Sequence, residues 1–248
     1  MSNVVLNSME TYFKHIVLIL FSSIAFVFAL FIPFFASFVT YNDAGGIFLR
    51  LTNIFNLTKL DIFILILSVF FSLLFLSFAI VSINIIVKHK RTYSRIRHEV
   101  LLGLEKYTSK VFLILLIFAA LILIVNIFSV LYISNISGIV SAIILLCISP
   151  VFFYAPSSII NDDARLIPAF KKSILFFAKK PGYFVLWILV AIALITFFNF
   201  LFIGIGNILP YPMLSIYVIL IFNSIFILPF IVILQAESYI KRFALLKN

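Results

Sequence analysis

Long apolar runs, separated by short polar connections, dominate this chain. A helix that crosses a bilayer needs about 20 mainly apolar residues, because each residue rises about 1.5 Å through a hydrocarbon core about 30 Å thick. Six runs reach this length without any Asp, Glu, Lys, Arg or His. None alternates polar with apolar residues as a membrane-barrel strand would. The pattern therefore predicts six transmembrane helices, at residues 16–39, 62–87, 111–134, 139–160, 183–208 and 213–234.

Composition excludes a water-soluble fold. The 248 residues are 65% hydrophobic and 10% charged, and their mean hydropathy is +1.31. Soluble domains are about half apolar and about a quarter charged, so this chain lacks the polar side chains to cover a soluble body. We predict an all-α polytopic membrane protein whose residues 1–248 form a single transmembrane domain, with Pro33, Pro150 and Pro229 kinking three of the spans.

The basic residues are distributed unevenly between the two sides of the predicted membrane. Of the 18 Lys and Arg residues, all but Arg50 and Lys59 fall in the N-terminal segment, the second and fourth connections or the C-terminal tail. Because cytoplasmic connections carry the Lys and Arg excess, both termini are predicted to be cytoplasmic, in a multi-pass protein of the cell membrane. The net charge of +10 then indicates contact with the anionic inner leaflet rather than with nucleic acid.

Three segments on the basic side have the apolar spacing of helices that lie in a membrane interface. The clearest is 91–110, with a stripe that includes Val100, Leu104 and Tyr107. The segment after the fourth span has a stripe of Ile167, Phe170, Ile174 and Phe177, with Asp162 or Asp163 as the expected N-cap. A weaker stripe of Val5, Met9, Tyr12 and Ile16 precedes the first span. The candidate anionic-lipid contacts are Arg91, Arg95, Arg97, Lys171, Lys172, Lys179 and Lys180.

Each of these segments precedes a pair of spans, which suggests three repeats of an amphipathic helix plus a hairpin. The units would be residues 1–90, 91–161 and 162–248. A shift of 73 residues places Lys106 on Lys179 and Asn126 on Asn199. Each unit starts and ends on the same side, so the copies would be parallel, unlike the inverted repeats of many transporters.

Four asparagines are the most polar side chains within the predicted spans. They could form a polar pocket or a substrate track, or they could bond one helix to another, an interaction worth about 0.6 kcal/mol. We favour the bonding interpretation. The candidate intramembrane polar contacts are Asn84, Asn126, Asn199 and Asn223.

No pattern in the chain indicates catalysis. No nucleophile and base, metal-ligand spacing or phosphate loop is visible, and the spans carry no ionisable group of the kind that ion or proton transport uses. We therefore expect no catalytic residue, metal or cofactor, and no enzymatic activity. Asn56 begins a glycosylation sequon on the predicted outer side, and its modification is left open.

The stretch 150–194 carries a family resemblance. It contains Pro150 and Ala155-Pro156 at the end of a span, then Asp162, then an amphipathic segment with Ala169 and Ser173, then a Trp-bearing span. This order resembles the YciC-like membrane proteins, which are similar to the membrane domain attached to some glycerophosphodiester phosphodiesterases. The resemblance is best over residues 150–248. It implies a six-span bundle without assigned catalytic residues, and the phosphodiesterase catalytic domain has no counterpart here.

Two functions remain as hypotheses. The first is a non-enzymatic structural or accessory protein that organises lipid or serves as a subunit of a membrane complex, with membrane lipids and other membrane subunits as partners. The alternative is a permease or transporter subunit that passes a neutral or lipid-like substrate by Asn126 and Asn199.

Overall fold

The computed structural model describes residues 2–40, 59–89, 96–132, 137–206 and 212–245, and every element within these ranges is helical. Arg91, Arg95 and Asn56 lie outside the described residues, as does the side chain of Arg97. The π-helical segment Asn223–Ile227 separates the last two α-helices. The α-helices are α1 (Ser2–Lys14), α2 (Ile16–Thr40), α3 (Lys59–His89), α4 (Ile96–Tyr132), α5 (Ser137–Phe153), α6 (Ala155–Asp162), α7 (Leu166–Lys179), α8 (Pro181–Gly206), α9 (Pro212–Phe222) and α10 (Leu228–Leu245).

The described residues contain six helical stretches that are long and apolar enough to cross a membrane. The six predicted runs coincide with α2, α3, α4, α5 with α6, α8, and α9 through α10. The prediction of an all-α, six-span membrane protein is therefore confirmed. Large apolar side chains point outward, with Phe200 79% and Phe21 74% exposed, as lipid-facing residues should be.

Helix packing is concentrated towards one end of the bundle. Three segments are buried without interruption: residues 79–87 of α3, residues 154–160 from the end of α5 into α6, and residues 231–239 of α10. Polar contacts also join the elements there: Thr11 Oγ1 donates to Glu237 Oε1 at 2.9 Å, and Lys106 Nζ lies 2.7 Å from Asp163 Oδ2. We call this region the basic end. It is formed by α1, by α7, by the N-terminal part of α4, and by the C-terminal ends of α3, α6 and α10.

Pro33 interrupts the backbone bonding of α2, and a neighbouring helix compensates. Proline has no N–H, so the carbonyl of Ala29, four residues earlier, loses its helical donor. Ser72 of α3 donates its hydroxyl to this carbonyl at 2.6 Å. The proline thus creates an acceptor that links the first two spans, in an environment where an unpaired carbonyl would be costly.

Pro229 has the same effect in the last span. It leaves the carbonyl of Ile225, which lies within the π-helical segment, without its α-helical donor. Tyr12 of α1 and Ser23 of α2 donate their hydroxyls to this carbonyl at 3.2 and 3.3 Å. The N-terminal helices are therefore hydrogen-bonded to the last span at the point where its helix is irregular.

The predicted interfacial helix at 91–110 is not a separate element in its described part. Residues 96–110 are the first turns of α4, which continues to Tyr132 because no proline interrupts its hydrogen bonding. Val100 and Leu104 pack against the central apolar core, which includes Tyr107 and Ile85. This stripe contacts protein. The three-unit repeat remains a prediction.

Candidate functional site

The fourth span is broken at Tyr154, between α5 and α6. Prolines 150 and 156 flank the break, and Pro156 cannot donate to the preceding turn. Ser173 of α7 occupies the gap: the Tyr154 N–H donates to Ser173 Oγ at 3.0 Å, and the Ser173 hydroxyl donates to the Pro150 carbonyl at 2.6 Å. A side chain of α7 thereby replaces one backbone hydrogen bond of the span and fixes α7 to it.

Two further polar side chains hold the broken span in place. Gln235 of α10 donates its amide to the carbonyl of Phe153. Ser157, one turn further, donates its hydroxyl to Asn84 Oδ1 at 2.8 Å, while Asn84 Nδ2 donates to the carbonyl of Ile80 at 2.9 Å. The break is therefore bonded to α3, α7 and α10.

Asp162 lies at the end of α6, where three elements meet. Its Oδ2 accepts Lys172 Nζ at 2.5 Å and the Tyr239 hydroxyl at 2.9 Å. The side chain of Asp162 is 8% exposed and that of Lys172 is 37% exposed, so this ion pair is half-shielded from solvent. Asp162 links α6 to both α7 and α10.

The neighbouring Asp163 has a different environment. It ends α6 in the left-handed conformation, with φ 51°, which Asp tolerates better than most residues. It forms an exposed ion pair with Lys106, and the hydrogen bond from Lys106 lowers the pKa of Asp163. The prediction that Asp162 or Asp163 caps α7 is wrong: α7 begins after Arg165 and has no side-chain cap, because the two aspartates belong to the end of α6.

An open cleft of about 470 Å³ lies beside Asp162 at the basic end. Lys88, from the end of α3, is half-buried and donates to the carbonyl of Ile160 at 2.7 Å. Asn161 donates its side-chain amide to the carbonyl of Ser157 at 2.8 Å. The cleft is lined by Lys88, Asn161, Asp162, Lys172 and Ile240.

One face of helix α7 packs on the bundle, and the opposite face is exposed. Ala169, Ser173 and Phe176 are buried against the protein. Ile167 and Ile174, from the predicted apolar stripe, are 70% and 47% exposed. The buried face is thus rotated from that stripe by about one residue position. The exposed apolar residues of α7 lie beside exposed Lys171 and Lys179, whereas Lys172 is bound to Asp162 and Lys180 is half-exposed.

Helix α1 shows a similar offset, except that Tyr12 of its predicted stripe is buried. Its buried residues are Val4, Ser8, Thr11 and Tyr12, and it packs on α10. Met9, which the sequence placed in the apolar stripe, is exposed. In both helices the protein-facing side includes hydroxyl-bearing or small residues, because close approach and hydrogen bonding hold helices together in lipid.

The four intramembrane asparagines do not form one pocket. Asn84 is buried and accepts a hydrogen bond from Ser157. Asn223 Nδ2 donates to Asn199 Oδ1 at 3.0 Å. Asn126 lies on α4, whose main neighbours are α3, α5 and α6, whereas Asn199 lies on α8, which packs mainly on α9 and α10. The asparagines that the repeat would pair by position, Asn126 and Asn199, thus have different surroundings.

Several residues of the site had no clear signal in the sequence. Gln235, Glu237 and Tyr239 follow the last apolar run, so they read as the start of a polar tail, yet all three are buried. Lys88 and Asn161 read as ordinary residues at span ends. The one signal in the sequence was the spacing of these polar residues, which occur at every second position, 235, 237 and 239, directly after an apolar run.

No group of three His, Cys, Asp or Glu side chains that could hold a metal ion occurs within the described ranges. Comparison of the chain with protein-family models, curated proteins and solved structures found no match. The resemblance to the YciC-like proteins therefore remains a prediction.

Proposed function

We propose that this integral membrane protein is a non-enzymatic accessory protein that gathers anionic lipid at the cytoplasmic surface of the cell membrane. The observation that carries the proposal is the two-sided exposure of α7. One face is fixed to the broken span through Ser173, and the other presents Ile167 and Ile174 beside Lys171 and Lys179.

This arrangement suits the interface of a bilayer. Exposed isoleucines at the end of a membrane bundle are stable when acyl chains cover them, and lysines at the same depth attract phosphate headgroups. The attachment through Ser173 keeps α7 at a fixed position on the bundle, so its lysines form a permanent basic surface. Transport past Asn126 and Asn199 remains a prediction of the sequence.

Removing the two exposed lysines of α7 should weaken the preference for anionic lipid. We expect the double variant Lys171→Gln/Lys179→Gln to lower the association constant of phosphatidylglycerol relative to phosphatidylcholine by about fivefold per lysine, the effect of about 1 kcal/mol for each basic residue near the surface. Paramagnetic resonance of spin-labelled lipids in vesicles that contain the reconstituted protein measures this ratio directly.

Lys59→Gln provides the matched control, since Lys59 is exposed at the first residue of α3, at the other end of that span. It should leave the ratio at the wild-type value in vesicles whose anionic lipid is confined to the leaflet that contacts α7. An unchanged ratio in the α7 variant would refute the proposed function.

A further inference from the structure

The cleft beside Asp162 has the charge and the donors of an anion site. It contains two ammonium groups, from Lys88 and Lys172, and one carboxylate, from Asp162. One positive charge therefore remains unneutralised by the lining residues. The nearby Asp163 is bound to Lys106 at 2.7 Å, and Glu99 lies 3.9 Å from His89, so both of these acids have cationic or potentially cationic neighbours.

Lys88 is the residue that most needs a ligand. Among the described residues, its only hydrogen-bond acceptor is the carbonyl of Ile160, which leaves two of its three N–H donors for another group. Lys88 is also half-buried, so its charge is less well hydrated than that of a surface lysine. A partly desolvated cation without a carboxylate bonded to it is costly, and a bound anion would offset that cost.

The other lining residues hold further donors in place. Asp162 fixes the ammonium of Lys172 at 2.5 Å, and Tyr239, which is fully buried, fixes Asp162 in turn. Asn161 uses one of its two amide N–H groups for the carbonyl of Ser157. Ile240 supplies an apolar wall. The site thus combines positioned cations with an apolar surface.

We propose that this cleft binds one phosphodiester group carrying a single negative charge, with Lys88 and Lys172 as its cationic ligands and Asp162 as the residue that positions Lys172. The proposal rests on the proposed function when the phosphodiester is the headgroup of an anionic membrane lipid. It differs from the lipid contact of α7 because it is a saturable site with one ligand per chain, built from residues other than Lys171 and Lys179.

The test counts bound lipid on the whole chain. The protein is reconstituted in vesicles of phosphatidylglycerol and phosphatidylcholine and extracted in mild detergent. Native mass spectrometry then gives the number and type of lipids that remain bound to each chain. We expect one retained phosphatidylglycerol per chain. Lys88→Gln and Lys172→Gln should each lower its occupancy at least tenfold at limiting lipid, whereas Lys88→Arg, which keeps the charge, should retain it.

Two controls separate this site from the surface of α7 and from misfolding. Lys171→Gln/Lys179→Gln should keep the single bound lipid even though its general preference for anionic lipid falls. The emission of Trp187, the chain's one tryptophan, verifies that each variant is folded. Retention of phosphatidylglycerol by both Lys88→Gln and Lys172→Gln would overturn the cleft site while leaving the proposed function intact. Loss of lipid in these two variants, with an unchanged spin-label ratio in the α7 variant, would support the cleft and reject the proposed function.

A competition arm identifies the source of the phosphodiester. Glycerophosphoglycerol, the same headgroup without acyl chains, is added to the lipid-loaded protein. If it displaces the lipid at millimolar concentration, the cleft recognises the phosphodiester alone and accepts a soluble ligand. If only diacyl lipid competes, the ligand is a membrane lipid. Either result supports a phosphodiester site.

Discussion

Replacing Ser173 by Ala should lower the free energy of unfolding by at least about 2 kcal/mol, because it removes the hydroxyl that serves two backbone groups at once. Without it, the Tyr154 N–H has no acceptor and the Pro150 carbonyl has no donor at the break in the fourth span. Each buried backbone group left unpaired costs about 1 to 3 kcal/mol. Unfolding in a denaturing detergent, followed by the emission of Trp187, measures the loss, since this ring lies 4.5 Å from that of Phe153 beside the break.

Ser238→Ala is the matched control for this substitution. Ser238 is as buried as Ser173, but its hydroxyl donates at 2.7 Å to the carbonyl of Leu234 within its own helix, so its removal leaves the regular backbone bonds intact. Ser173→Thr, which keeps the hydroxyl, should recover part of the loss. Equal stabilities of Ser173→Ala and Ser238→Ala would show that the Ser173 hydroxyl does not support the broken helix.

Asp162→Leu should also destabilise the protein, by about 1.5 to 3 kcal/mol, the usual range for hydrogen bonds to a charged group. The substitution removes the acceptor that Lys172 and Tyr239 share, at a carboxylate that is 8% exposed. Asp162→Asn, which keeps an acceptor oxygen but loses the charge, should fall between Asp162→Leu and the wild type. The same unfolding measurement applies.

The adjacent Asp163 shows how much burial contributes, because its ion pair is exposed whereas that of Asp162 is partly buried. Its ion pair with Lys106 is exposed, so Asp163→Asn, which tolerates the left-handed backbone at this position, should change stability less than Asp162→Asn. Because the Lys106 hydrogen bond lowers the pKa of Asp163, the small contribution of this pair is present at neutral pH and disappears as the pH falls below about 4. Equal losses from the two Asn variants would contradict the central place of Asp162 in the basic end.

The six spans could be predicted from the sequence because length and lack of charge decide whether a segment crosses a bilayer. Which side of a helix faces protein could not be read in the same way. In water, the apolar stripe of α7 would be its buried side, but lipid is also apolar, so Ile167 and Ile174 stay outside while Ser173 and Ala169 face the bundle.

The candidate site was predictable only in part. The sequence indicated hydrogen bonding for the intramembrane asparagines, and the structure shows this for Asn84 and for the pair of Asn199 with Asn223. It did not indicate that Asp162 would bond to Lys172 and Tyr239, since Tyr239 is 77 residues away along the chain. Such contacts depend on how the spans pack, and a pattern within one span contains no information about its neighbours.

The account depends on the basic end being on the cytoplasmic side of the membrane, and cysteine labelling tests this sidedness most directly. Cys147 is the one native cysteine, so a Cys147→Ala background allows single cysteines to be introduced at Lys171 in α7 and at Lys59 at the start of α3. A membrane-impermeant maleimide should label Lys59→Cys in intact cells, and should label Lys171→Cys only in inverted membrane vesicles. Labelling of Lys171→Cys in intact cells would place α7 on the outer surface and contradict the proposed contact with the inner leaflet.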